Sequence, residues 1–302
     1  MRTIKLILIM ILNLFITINL ISQTVNWDWA KHAGGNSDDV GYSITTDNGN
    51  NIIIVGTFNN NASFGTDILS SISIYGGAFV AKIDSSGNFL WSRRVVGTHF
   101  TSVYSVTTDL YNCIYILGGF AETTNIETTT LVSNGSSDLF IAKLNYNGDL
   151  QWVISSGGIG IDGGMSLTCS DSLLFVSGEY RDSVYFDTTL LISNGNSDIF
   201  LACLDFEGNY QWIKSAGGTL YDVSRSIALD NNTDIIIAGH INTSANFGET
   251  DTSIFTYGSA DPFVAKYSPN GDFLWVNSFG GADGDRGISV ISDFKYPVKT
   301  QG

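Results

Sequence analysis

FVAKIDSSGNFLW, residues 79–91, recurs as FIAKLNYNGDLQW at 140–152, FLACLDFEGNYQW at 200–212 and FVAKYSPNGDFLW at 263–275. Each copy is a short apolar run, a turn with Gly at a fixed place, and a second run ending in Trp. Glycine supplies the positive φ of a short hairpin loop, and Asp, Asn or Pro starts it. Each copy therefore reads as two antiparallel strands joined by a tight turn. Pro269 lies in one such turn and Pro262 opens a strand, both places that tolerate a missing N–H.

The pattern extends outward from these copies. Trp29, Trp91, Trp152, Trp212 and Trp275 are spaced 62, 61, 60 and 63 residues apart. Six residues after each stands Gly35, Gly97, Gly158, Gly218 or Gly281, and fourteen after each stands Ser43, Ser105, Ser166, Ser226 or Ser289. Segments such as GYSITTD (41–47) alternate apolar and polar residues, as a half-exposed strand does. After a short turn come NIIIVG, CIYILG, LLFVSG and DIIIAG, closed by Gly56, Gly118, Gly178 and Gly239. These runs are apolar on both faces, so both faces should be covered. A loop of roughly twenty residues in the pattern F-x-T-x-x-L follows, with room for a small extra hairpin. No segment beyond the N-terminal leader shows a 3.6-residue apolar period.

Four antiparallel strands in a unit of about 61 residues suit a blade better than a solenoid coil. The expected fold is all-β, a β-propeller of four-stranded antiparallel blades, with about four complete blades plus partial first and last units. The five tryptophans should pack between blades. A Trp strand at 25–32 opens the series and a first strand, GISVISD (287–293), closes it. The expectation is a chain truncated at its C-terminus, whose strand 25–32 completes the last blade in the full protein.

Composition agrees with a packed body. The 302 residues are 43% apolar and 12% aromatic, unlike a disordered chain. Three cysteines cannot staple so long a chain. A formal charge of −15 argues against nucleic-acid partners. Arg2 and Lys5 precede an apolar stretch, Leu6 to Ile21, broken by Asn13, Thr17 and Asn19. That is the layout of a secretory signal peptide, assigned to 1–22, and the stretch is shorter than the ~20 residues a spanning helix needs. Residues 23–302 form the β-propeller repeat domain. The mature chain is expected to be secreted or held at the cell surface, with no transmembrane segment.

The unit D-x-F-V-A-K-[IL]-D-x-x-G-N-x-L-W, continued through G-G, S-[IV] and G-N-x-[IVL]-x-[IV]-x-G, resembles the secreted bacterial propeller repeat called the SBBP repeat. The resemblance covers residues 25 to about 293. Gly77, Cys203 and Val96 depart from the pattern. It implies a propeller and export, of a kind common in the Bacteroidota, with no shared enzymatic activity.

Candidate chemistry is sparse. Ten residues after four of the tryptophans stand Asp39, Asp162, Asp222 and Asp285, with Thr101 in the remaining unit. They lie in loops expected to share one face with the long loops. Four carboxylates there could ring a polar-ligand or cation site, with Ca2+ suited by its oxygen-only chemistry. The alternative is that each Asp bonds backbone N–H groups in its own turn. No other metal or cofactor is expected. His32, His99 and His240 lack metal-ligand spacing. Cys113, Cys169 and Cys203 fall in different registers, as buried thiols would. No cluster of three arginines is evident, nor a paired-carboxylate site apart from the repeats.

The function expected is that of a non-enzymatic binding or scaffold module. It would recognise an extracellular glycan, polymer or protein through loops near 57–77, 119–137, 179–197 and 240–260, with Phe58, Tyr75, Phe120, Tyr180, Tyr185 and Tyr257 as aromatics. The alternatives are a polysaccharide hydrolase or lyase and a structural cell-surface component.

Overall fold

The computed structural model describes residues 28–248 and 252–293. Contacts divide the chain into two compact units, Met1–Lys31 and His32–Gly302. The signal-peptide assignment and residues 25–27 of the opening strand lie outside the described residues. Residues 28–33, including Trp29, hold no strand.

The second unit is all-β, with no helix among the described residues. Four sheets repeat one plan. The first comprises Val40–Thr46, Ile52–Phe58, Gly77–Ile83 and Phe89–Gly97; the second Thr101–Thr108, Ile114–Phe120, Asp138–Leu144 and Leu150–Ser156. The third comprises Gly163–Cys169, Leu173–Tyr180, Asp198–Asp205 and Tyr210–Ala216; the fourth Val223–Leu229, Ile235–Ile241, Asp261–Tyr267 and Phe273–Ser278. In each, strands run antiparallel in chain order from the first strand to the Trp strand. First strands of successive sheets lie against one another, and their outer Trp strands reach across through side chains. This is a fan of blades, the β-propeller arrangement.

The two-faced apolar runs explain the stacking. Phe140, Ala142 and Leu144 of one third strand pack with Ile53, Val80 and Ile116 between blades one and two. Their neighbours Leu139 and Ile141 pack with Val176, Phe200 and Ala202 between blades two and three. Alternate residues of a strand point to opposite faces, so one strand fills two cores. Cys203 is buried in the third such core. Burial pushes the Cys203 thiol up to about 12 and the Cys169 thiol up to about 11, which leaves both protonated at neutral pH.

The long loop does hold a hairpin in every blade, such as Ser183–Phe186 with Thr189–Ile192. Each hairpin docks on the Trp strand of the preceding blade, or on its counterpart Gly34–Gly35. Thr124 pairs with Gly97, Ala62 with Gly35, and Tyr185 and Asn246 bridge to Gly157 and Gly217. The glycine six residues after Trp is required here. A Cβ on Gly35, Gly158 or Gly218 would stand 1.9, 1.7 or 1.9 Å from the carbonyl oxygen of Asn61, Ser183 or Ser244.

The last predicted strand differs from expectation. Residues 287–293 form no strand. They still lie along blade four, where the Val290 N–H donates to Ser226 Oγ at 3.1 Å.

Candidate functional site

Most recurring polar residues are bonded into the fold. Ser43, Ser105 and Ser166 each follow a bulge in a first strand and accept from the N–H of Val106, Leu167 and Ile227 in the next blade, at 3.3, 3.1 and 3.3 Å. Tryptophan is the second strut. Trp91, Trp152 and Trp212 donate Nε1–H to the carbonyls of Tyr146, Phe206 and Pro269, in the turn of the next blade, at 3.3, 3.0 and 3.2 Å. Their rings lie over Gly148, Gly208 and Gly271, whose φ values are 82°, 90° and 81°. Trp275 is 40% exposed. Lysine is the third strut. Lys82 Nζ is fully buried, 2.8 Å from Asp47 and 3.2 Å from the Tyr146 carbonyl. Burial pushes Asp47 up, but the hydrogen bonds from Lys82 and Asn51 outweigh it and hold the carboxyl below its ordinary value. In blade three both partners are replaced together, by Cys203 and Ser170. A buried charge left without its partner is costly, so losing both is the milder change.

The four candidate aspartates occupy equivalent places. Asp39, Asp162, Asp222 and Asp285 accept from the N–H of Gly35, Gly158, Gly218 and Gly281, at 2.6, 2.7, 2.7 and 2.9 Å. The second oxygen of Asp39, Asp162 and Asp222 accepts from Asn59, Arg181 and Asn242 N–H. Burial pushes Asp162 and Asp222 up to about 7 despite these donors. The structure does not gather the four together. Among the described residues no group of three or more His, Cys, Asp or Glu could hold a metal ion.

Arg181 and Asn242 are also walls of a cavity of about 250 Å3 between blades three and four. Its lining includes Arg181, Arg225, Arg286, His240, Glu179 and Tyr221. This corrects the expectation that no three arginines cluster. They stand 29, 13 and 11 residues after Trp152, Trp212 and Trp275, three different registers of the repeat, so only the juxtaposition of blades reveals them. Arg181 Nε, Arg225 Nε and His240 Nδ1 are buried without a hydrogen-bond partner. Burial, then the charges of Arg225 and Arg286, push the His240 imidazole down to about 4, so it is neutral at pH 7. The lining then carries three guanidinium groups and one carboxylate, a formal +2 inside a chain of net charge −15. A larger cavity of about 710 Å3 lies at the opposite ends of the first strands, beside Asp109, Cys169 and Asp230.

The aromatics divide. Tyr75, Tyr185 and Tyr257 are exposed on the long loops, whereas Phe58, Phe120 and Tyr180 are fully buried and cannot face a ligand. They end second strands, where the hairpins cover them.

No protein-family model matches the chain. It is similar to an uncharacterized WD repeat-containing protein of Acanthamoeba polyphaga mimivirus, 23% identical over 357 residues that cover 90% of this chain and 26% of that protein. It is also similar to regulatory protein FlaEY of Caulobacter vibrioides, 25% identical over 238 residues, 74% of this chain and 24% of that one. The chain thus spans about a quarter of the length of these relatives. WD repeats are propeller blades of ~40–45 residues. With the blade geometry, the similarity fits a repeat β-propeller. Its own unit is longer by the inserted hairpin. Among the described residues no helix is long and apolar enough to cross a membrane.

Proposed function

We propose that the chain is an exported, non-enzymatic propeller of SBBP-repeat type that binds an extracellular glycan, polymer or protein at its long-loop face. One observation carries the binding reading. The recurring serines, tryptophans and aspartates are bonded within and between blades, whereas Arg181, Arg225, His240 and Arg286 break the repeat and meet at one cavity on that face. Sites that act on one ligand need residues particular to one place. The cavity contributes a single carboxylate, Glu179, whereas glycoside hydrolysis commonly uses two flanking the scissile bond. Export is supported by the leader-like residues 1–22.

The test pairs a glycan array with a reducing-sugar assay on the purified chain. Retention without release of reducing ends is expected. Release would support the hydrolase or lyase alternative, and neither signal would support a structural component.

A further inference from the structure

We propose that the cavity of Arg181, Arg225 and Arg286 takes the anionic group of an acidic sugar, a carboxylate or sulfate ester. The proposal rests on the binding-module reading and names the ligand class of that site. The chain has six arginines, and three of them line this one cavity. Among the described residues none of the three forms an ion pair within 4 Å. Arg286 is exposed, whereas Nε of Arg181 and of Arg225 is buried without an acceptor; that is unfavourable, and a bound oxyanion would supply the missing bonds. Glu179 offsets one of the three charges and leaves a surplus for an incoming anion.

The neighbouring groups suit a sugar. Tyr221 is 46% exposed, with the Arg181 guanidinium 5.3 Å from its ring centroid, and offers a flat apolar face to a pyranose. Asn242, Ser197 and the neutral imidazole of His240, itself 7% exposed, can bond hydroxyls or the acid group. About 250 Å3 is below the ~300–1,000 Å3 of pockets that enclose drug-sized ligands, so the cavity fits one sugar-sized group. An acidic peptide is less well served. Peptides commonly add to a free sheet edge, and this lining comes from strand ends and connections.

Backbone support is built in. Asp162 accepts from Arg181 N–H and Asp222 from Asn242 N–H, so two of the candidate aspartates act as positioning residues behind the cavity wall.

Calorimetry on the full chain tests this with trigalacturonate, a sulfated galactose disaccharide, neutral galactotriose, sodium sulfate and an oligoglutamate peptide. At least one acidic sugar should bind at least tenfold more tightly than the neutral one. Arg225→Ala should weaken it at least tenfold, Tyr221→Ala several-fold, and Arg93→Ala, remote from the cavity, not at all. Unchanged melting curves would show that the variants fold. Equal binding of acidic and neutral sugars, or full affinity in both cavity variants, would overturn the proposal. So would sodium sulfate binding as tightly as the sugars, or binding of oligoglutamate alone. Neutral-sugar binding indifferent to Arg225→Ala would overturn this inference yet keep the module. Release of reducing ends from trigalacturonate, lost in Arg225→Ala, would overturn the module yet keep the acidic-sugar site.

Discussion

The indole of Trp152 joins two blades by a hydrogen bond and by its ring, which packs on a glycine that has no side chain to obstruct it. Trp91 and Trp212 do the same, so a Trp in this register is a structural strut. Trp152→Ala is expected to destabilise the chain by about 3 kcal/mol, the low end for Trp truncation because the ring is half-buried. Trp275→Ala should cost clearly less, since that side chain is 40% exposed. Chemical denaturation of both variants checks this; equal losses would contradict it. These struts were legible in the sequence because they recur. The arginine cavity was not, because Arg181, Arg225 and Arg286 each occur once in their register and meet only through blade packing.

At the scale of the element, the hairpin between second and third strands explains both the length of the repeat and its recurring spacing from Trp to Gly. The hairpin of one blade covers the outer-strand end of the blade before it, and only glycine permits the approach. Gly158→Ala would push a Cβ to 1.7 Å from the Ser183 carbonyl, so the hairpin must undock. Amide exchange at Tyr185, whose N–H donates to the Gly157 carbonyl at 3.1 Å, should accelerate strongly in this variant. Gly41→Ala is the control, since its Cβ would meet nothing closer than Ile54 Cγ2 at 3.9 Å. Unchanged exchange at Tyr185 would refute the docking. The sequence announced a loop with room for a hairpin, but not its partner, because register within a strand says nothing about which neighbouring blade it reaches. It also placed Phe58, Phe120 and Tyr180 on the ligand face; the hairpins above them turn those positions into core.

For the whole molecule, buried carboxyls set the pH response. Burial raises Asp138 to about 6 and Asp162 and Asp222 to about 7, from an ordinary 3.8. The folded chain holds these protons more tightly than the unfolded one. Their contribution is full below pH ~4 and lost as pH rises through 6 to 7. His240 works the other way, but only as pH falls from 6.5 towards 4. Melting temperature should therefore rise from pH 8 to pH 6.5, and Asp162→Asn should flatten that slope. A fall over the same interval would contradict the assignment.

The fan of blades is tested most directly by spin-label distances among Ser86, Asn147 and Glu207, which occupy exposed positions in equivalent turns of blades one, two and three. Pulsed electron resonance on pairwise-labelled chains should give two similar short distances, 86 to 147 and 147 to 207. The distance from 86 to 207 should be clearly less than their sum, because the turns lie on an arc. A distance equal to that sum would mean sheets stacked in a straight line and would contradict the propeller.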